Sequence, residues 1–201
     1  REAGLIPQKG RGRSAAHMAP SDATNLLLGV MTSSVLQDAP YNVRAAREAA
    51  FNGADVNFSG IVDDSIPPFP FLRDDGRVLT FGEALDTLFD EIVRHGDPIR
   101  DDGLPIANLG LRVERPGLHS VVEIRDDDIW FIKFERQDPR LDDYQGHEKV
   151  DRAKEIFRAE RGGMEITTRI GHDEFMAIGE CLRGYEPADG EIVIPPYEEV
   201  T

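Results

Sequence analysis

The chain has 201 residues, of which 40% are hydrophobic and 30% charged, and its formal net charge is −15. This length fits one or two domains, and the apolar content is sufficient for a hydrophobic core. No run of 18 apolar residues occurs and no signal-peptide pattern opens the chain, so the sequence predicts neither a membrane span nor secretion. The single Cys181 excludes an internal disulfide and favours a cytoplasmic location.

The charge is unevenly distributed along the chain. Residues 1–20 hold four basic residues and one acidic residue, a net of +3, whereas the remainder holds 19 basic and 37 acidic residues, a net of −18. An acidic body repels phosphate, so broad binding of nucleic acid by the whole surface is excluded. A small basic element at the N-terminus is the part that could still bind it.

The N-terminal segment has the pattern of a helix end, a basic loop and a second helix. Residues 1–6 are typical of a last helical turn, with Gly4 after the helix and Pro7 preventing its continuation. Residues 8–18 form a predicted loop or small hairpin that turns at its glycines. Ser21 is the expected N-cap of a helix to about residue 37, whose apolar stripe is Leu26, Leu27, Val30, Met31 and Val35.

This order resembles the second half of a winged helix-turn-helix domain of the MerR type. The resemblance covers about thirty residues and rests on Gly4, Leu5, Ile6 and Pro7, on a wing from Gln8 to Met18, and on Pro20, Ser21 and Asp22. The arrangement is similar also to that of small terminase subunits and other phage DNA-binding proteins. Since the chain begins with Arg1, we expect that the first half of such a domain would lie upstream.

The resemblance implies that the basic loop contacts DNA. A wing places cations beside the phosphate backbone while the preceding helix reads the major groove. The residues expected to bind DNA are Gln8, Lys9, Arg11, Arg13, Ser14 and His17. The alternative is a solvated basic loop without a function of its own.

The middle of the chain contains one clear helix. A helix from Val43 to about Phe51 is predicted after an Ala-Pro break and ends at Gly53, and residues 53–79 are predicted to be irregular. Thr80 and Glu83 form a capping box that begins the next helix, which ends at Gly96. Its wide apolar face is either core, which we favour, or a dimer interface.

Residues 109–136 change to the period of a β-sheet. Three runs, 109–115, 118–125 and 129–136, predict three strands of an antiparallel meander with tight turns between them. Residues 137–151 are predicted to be a loop, followed by a helix near 150–160 and a fourth strand over 164–170. A closing helix over 172–182 precedes a tail from Tyr185 that is expected to be extended or disordered.

No set of residues predicts a catalytic or metal site. The acidic pairs each lie beside Gly, Pro or a predicted turn, which explains them as turn formers. The histidines lack ligand spacing, with His119 expected on a strand and His172 near a helix start. Cys181 lies in an apolar helical run, so we expect core packing there. We therefore expect a protein that is not an enzyme, with no cofactor and no metal.

The predicted fold class is α+β, a partial winged helix-turn-helix followed by helices packed on a small antiparallel meander. The predicted divisions are 1–37 for the wing and its helix, 38–184 for an acidic α+β domain and 185–201 for a flexible tail. The expected function is sequence-specific binding of double-stranded DNA by a homodimer or other homo-oligomer, as a transcriptional regulator. The alternatives are a phage packaging factor and an acidic protein-interaction module that does not bind DNA.

Overall fold

The computed structural model describes residues 18–33, 37–57, 62–63, 67–115, 119–125, 128–136, 139–141, 143–144, 147–149, 151–152, 155–156 and 166–183. Four helices are delimited there: α1 (Pro20–Thr32), α2 (Ala39–Arg47), α3 (Phe81–His95) and α4 (His172–Arg183). The strands are β1 (Ala50–Val56), β2 (Val62–Asp63), β3 (Arg73–Asp74), β4 (Arg77–Val78), β5 (Leu109–Arg115), β6 (His119–Arg125), β7 (Ile129–Glu135) and β8 (Ile166–Ile170).

The main sheet has six strands in the order β2-β1-β7-β6-β5-β8, and its pairings are antiparallel. The meander of β5, β6 and β7 forms its centre. One row of side chains crosses four of the strands on the core face, because Leu111, Val122, Ile132 and Ala54 are register partners and all are buried. Helices cover this face, so the predicted α+β architecture of helices on an antiparallel meander is confirmed.

Helix α3 supplies the largest part of the helical core. Thr80 caps its start, with the Glu83 N–H donating to Thr80 Oγ1 at 3.4 Å and the Thr80 N–H donating to Glu83 Oε2 at 2.9 Å. Gly96 ends the helix with a φ of 97°, which favours glycine. Seven of its side chains or glycine positions are buried: Phe81, Gly82, Ala84, Leu85, Leu88, Phe89 and Ile92. The apolar face of α3 is therefore core and not an exposed interface.

Two glycines allow the other helices to approach α3 closely. A Cβ on Gly82 would lie 2.7 Å from Cβ and 2.9 Å from Cα of Arg47 in α2. A Cβ on Gly179 of α4 would overlap Cγ2 of Ile92. Arg47 also joins three helices, because its guanidinium donates to Asn25 in α1 at 3.1 Å and to both carboxylate oxygens of Asp86 in α3.

Helix α1 differs at both ends from the prediction. Its N-cap is Ala19, not Ser21: Pro20 occupies the first helical position and Asp22 accepts a hydrogen bond from the Ala19 N–H at 3.0 Å. It ends at Thr32, five residues before the predicted end, because Asn42 Nδ2 donates to the Thr32 carbonyl at 3.0 Å and satisfies a terminal acceptor.

The prediction of a helix from Val43 to Phe51 is wrong at both ends, since α2 begins at Ala39 and the predicted Ala-Pro break lies in its first turn. The prediction that 53–79 is irregular is wrong in part, because the end of β1, the short strands β2, β3 and β4 and a 3₁₀ turn at Pro70–Leu72 lie there. Helix α2 ends at Arg47, and residues 50–56 form β1 on the edge of β7. Gly53 does not stop a helix; its φ of 86° lies where the β1–β7 register shifts, a β-bulge. Residues 50–56, AFNGADV, have little strand propensity of their own. They form a strand because they pair with the open edge of β7.

Most of the remaining elements agree with the predictions. The strands of the meander, β8, α3 and α4 lie where the sequence indicated. Residues 147–149 are helical and residues 139–141 form a short 3₁₀ turn, so the predicted loop over 137–151 is wrong in part. The predicted helix near 150–160 is described only at 151–152 and 155–156, which are helical. The predicted turn at Pro116 and the tail from Tyr185 lie outside the described residues.

The buried side chains of α1 belong to the same hydrophobic cluster as those of α2, α3 and the sheet, while the division at residue 37 stays a prediction. Among the helices that the structure delimits, none has both the length and the hydropathy needed to cross a bilayer.

Two glycine-to-alanine changes in helices are expected to have opposite effects. Gly82→Ala should destabilise the fold by about 1–3 kcal/mol, because the new methyl group meets the Arg47 backbone. Gly29→Ala should stabilise it by about 0.5–1 kcal/mol, because its Cβ would lie 3.7 Å from Val43 and alanine favours the helix. Urea denaturation of both variants measures the difference; a Gly82→Ala protein as stable as Gly29→Ala would contradict the close α2–α3 approach.

A cap and a core position of α3 should also differ. Thr80→Ala should cost about 1 kcal/mol through loss of the N-cap. Leu88→Ala should cost about 2–5 kcal/mol, because Leu88 is 0% exposed and the deletion leaves a cavity. Chemical denaturation monitored by circular dichroism tests both, and a Leu88 variant no weaker than the cap variant would show that this face is not core.

Candidate functional site

The six residues predicted to bind DNA, Gln8, Lys9, Arg11, Arg13, Ser14 and His17, lie outside the described residues. The description begins at Met18, one residue beyond them, and the chain enters α1 at Pro20. The Asp22 carboxylate holds the Ala19 N–H, so the point at which the basic segment joins the body is fixed. Their assignment to DNA stays a prediction.

An open apolar groove lies where α1 and α4 run beside each other. We call it the α1–α4 groove, and its volume is about 470 Å³. This volume falls in the range of small-molecule and peptide-side-chain pockets. Its walls are Met18, Ala23, Leu26, Leu27 and Val30 beside and along α1, and Ala177, Ile178, Cys181 and Leu182 along α4.

The groove arises because each helix carries more apolar rows than the core can cover. In α1, Leu27 and Met31 are buried, whereas Leu26 and Val30, also four residues apart, are 47% and 69% exposed. The predicted apolar stripe of α1 is therefore divided, and its members Leu26 and Val30 lie outside the core. The core covers two rows of α1, one through Leu27 and one through Leu28, and the next row, Leu26 and Val30, turns to solvent.

Cys181 is exposed, so its predicted place in the core is wrong. In α4 the buried positions are Phe175 and Gly179, four residues apart, and Phe175 packs on Phe89 of α3 with ring centroids 5.7 Å apart. Cys181 lies on a different row and faces the groove. The apolar side chains of this segment are therefore divided. Phe175 packs in the core, whereas Ala177, Ile178, Cys181 and Leu182 line the groove.

The composition of the α1–α4 groove limits what it can bind. None of its lining residues is ionisable except Cys181, and no carboxylate, imidazole or cation lines it. It therefore provides neither acid–base groups nor hard metal ligands, and it suits an apolar side chain or chain segment. Exposed apolar surface gathered in one concave place is characteristic of an interaction site.

A second, polar hollow of about 270 Å³ lies at the edge where β5, β6 and β8 meet the start of α4. Its charged residues balance one another: Arg125 pairs with Glu123, and Glu174 Oε2 accepts the Gly171 N–H at 2.9 Å in the first turn of α4. Arg169 completes it. These carboxylates already have structural partners, so the hollow offers no free acid–base pair.

Among the described residues, Glu91 of α3 is the titratable group whose pKa is shifted furthest towards neutral pH. Burial raises the pKa of its carboxyl to about 7 and is the largest cause of the shift. A hydrogen bond from the Ile99 N–H to Oε2, at 3.4 Å, acts in the opposite direction and lowers the pKa. The negative charge of the nearby Asp90 adds to the rise. Within the described ranges, no cluster of His, Cys, Asp or Glu could hold a metal ion. Glu91 is a partly buried carboxyl whose hydrogen bond from the Ile99 N–H is structural.

The raised pKa of Glu91 predicts a pH-dependent stability. Its carboxyl has a folded-state pKa of about 7 against an ordinary 4.5, so ionisation disfavours the fold and stability falls as the pH rises from 4.5 to 7. Glu91→Gln should therefore raise the melting temperature at pH 8, by an effect on the order of 1 kcal/mol after solvent screening. At pH 4 the two proteins should melt together; equal melting at pH 8 would contradict a buried, destabilised carboxylate.

Comparison with known proteins returned no match: no family model, no curated protein and no solved structure is significantly similar to this chain.

Sequence reasoning missed the groove although the signal was present. In α1, Leu26 and Leu27 are adjacent, as are Val30 and Met31, so the apolar face is wider than one packed side requires. In α4 the same doubling occurs at residues 177–178 and 181–182. A helix whose apolar arc exceeds one contact predicts either a second packing partner or an exposed patch, and only the fold distinguishes the two.

Proposed function

We propose that this protein binds double-stranded DNA through its basic N-terminal segment, residues 1–20, carried on an acidic body. The observation that supports this most is the charge separation, +3 in residues 1–20 against −18 in the rest. A body of that charge repels the phosphate backbone, so it leaves contact with DNA to the basic segment.

The arginines of the described body support this division of roles. Many of them already pair with carboxylates, so their charge is locally neutralised. The pairs are Arg47–Asp86, Arg73–Asp101, Arg77–Glu83, Arg94–Asp90, Arg100–Asp102, Arg125–Glu123 and Arg152–Glu155. Phosphate neutralisation by the body would require breaking such pairs, whereas Lys9, Arg11 and Arg13 lie in a segment with a single acidic residue.

The residues of the segment divide by chemistry. Arg11 and Arg13 suit phosphate, because a guanidinium can donate two hydrogen bonds to one phosphate group. Gln8, Ser14 and His17 carry uncharged donors that position the backbone. The capped start of α1 anchors the segment at Ala19, so contacts made by the segment hold the whole body in a defined place.

Homodimers are the usual means by which winged and other helix-turn-helix proteins read two half-sites. A homodimer of this protein would present two basic segments, and a role in transcriptional regulation follows from such paired recognition. A phage packaging role would use the same contact with DNA.

The double variant Arg11→Ala, Arg13→Ala tests the proposal. It should weaken binding to specific and random duplexes by similar factors, because phosphate contacts carry no base information. The slope of log affinity against log salt should shrink by about 2, near 0.9 for each lost contact. Fluorescence anisotropy with labelled duplexes over a salt series measures both.

The matched control is Arg94→Ala, Arg125→Ala, which removes the same charge from exposed positions of the body. These side chains are 68% and 60% exposed and paired with carboxylates, so their loss should leave the salt slope unchanged. Equal effects of the two double variants would refute a local contact. Absence of duplex binding by the unaltered chain at low salt would favour the acidic protein-interaction module instead.

A further inference from the structure

The α1–α4 groove lies beside the point at which the chain leaves the fold. Leu182 lines the groove and Arg183 is the last residue of α4. The Arg183 guanidinium donates to the carbonyls of Ile92 at 2.8 Å and Gly96 at 3.1 Å, which fixes the end of α4 against the end of α3. The C-terminal segment, residues 184–201, therefore starts from a fixed position next to an open apolar surface.

The sequence of that segment contains one apolar run in an acidic setting. Residues 192–197 read IVIPPY, with Glu191 before them and Glu198 and Glu199 after them, and the whole segment has no basic residue. The two prolines disfavour a helix or a central strand, so the run suits an extended chain. The uncharged lining of the groove complements IVIPPY, and the flanking carboxylates would remain in water.

We propose that the α1–α4 groove is the docking site of the chain's own C-terminal run, residues 192–197. This inference goes beyond DNA binding and does not depend on it. Ile192 and Ile194 fill the groove between Leu26 and Val30 on one side and Ile178 and Leu182 on the other, and cover apolar surface on both partners.

The length of the connecting chain supports this occupant. Eight residues, 184–191, separate Arg183 from Ile192 and reach up to about 26 Å when extended. The groove-lining part of α4, from Ala177 to Leu182, is about 8 Å long. The run therefore reaches the whole groove with chain to spare, and tethering gives it an effective concentration of about 1 mM.

Charge favours the tethered run over a second copy of the protein. A second copy seated on this groove would bring two chains with a net charge of −15 each together at a face without cations, whereas the tether removes the cost of bringing separate molecules together. The groove contributes no cation that would offset the repulsion between these like charges. The run IVIPPY carries no charge and is already tethered, and the carboxylates that flank it stay in water.

Cys181 reports directly on the groove because it is the single cysteine of the chain, exposed and part of the lining. In the full chain, the docked run should slow its reaction with a maleimide or a disulfide reagent. Ile192→Ser, Ile194→Ser should accelerate labelling about tenfold, as expected for a tether near 1 mM and an intrinsic Kd of about 0.1 mM. The control Glu198→Gln, Glu199→Gln changes the same segment without touching the apolar run and should label at the unaltered rate.

A groove-side variant makes the test independent of the tail's own folding. Val30→Ser should accelerate labelling in the full chain but add little when combined with Ile192→Ser, Ile194→Ser, since both remove one interaction. A peptide of residues 188–201 added in excess should restore protection to the tail variant.

Three outcomes would overturn the proposal. Labelling that is equally fast in the full chain and the tail variant would show that the run does not cover the groove. Additive effects of the groove and tail changes would place the run elsewhere. Protection that rises with protein concentration, together with a dimer in light scattering that persists in the tail variant, would assign the groove to a second copy.

Discussion

The burial of one face of α3 is the constraint on which the rest of the structure depends. This face contacts α1, α2 and α4 and reaches the sheet through Phe81, whose ring lies 5.1 Å from that of Phe134. Helix α2 can approach α3 closely because Gly82 of α3 has no side chain where Arg47 of α2 lies against it. Helix α4 can approach α3 closely because Gly179 of α4 has no side chain where it meets Ile92 of α3. Close-packed interiors tolerate little added volume, so these two positions set the spacing of the helices.

That spacing has a direct consequence for the surface. Because α1 and α4 both turn their buried rows towards α3, their second apolar rows face outward side by side. Leu26 and Val30 on one helix and Cys181 on the other thus share one groove. The groove is a by-product of the way the core is filled, and its apolar lining suits it to the docking that we propose.

Charge separates the two surfaces that we connect with function. The basic segment joins the body at the start of α1, and the acidic C-terminal segment leaves it at the end of α4. Met18 and Leu182, next to these two exits, both line the α1–α4 groove. The residues at which both segments join the body therefore lie beside the same groove.

The sequence by itself determined the elements whose signals are local: the capping box at Thr80, the alternation of the meander, and the charge of the N-terminal segment. The tertiary structure alone decided three things. Residues 50–56 became a strand because β7 offered an unpaired edge, and α1 ended early because Asn42 caps Thr32. Leu26 and Val30 stayed exposed because the core covers only the neighbouring rows of α1. Each depends on a partner distant in sequence, which no local pattern of residues encodes.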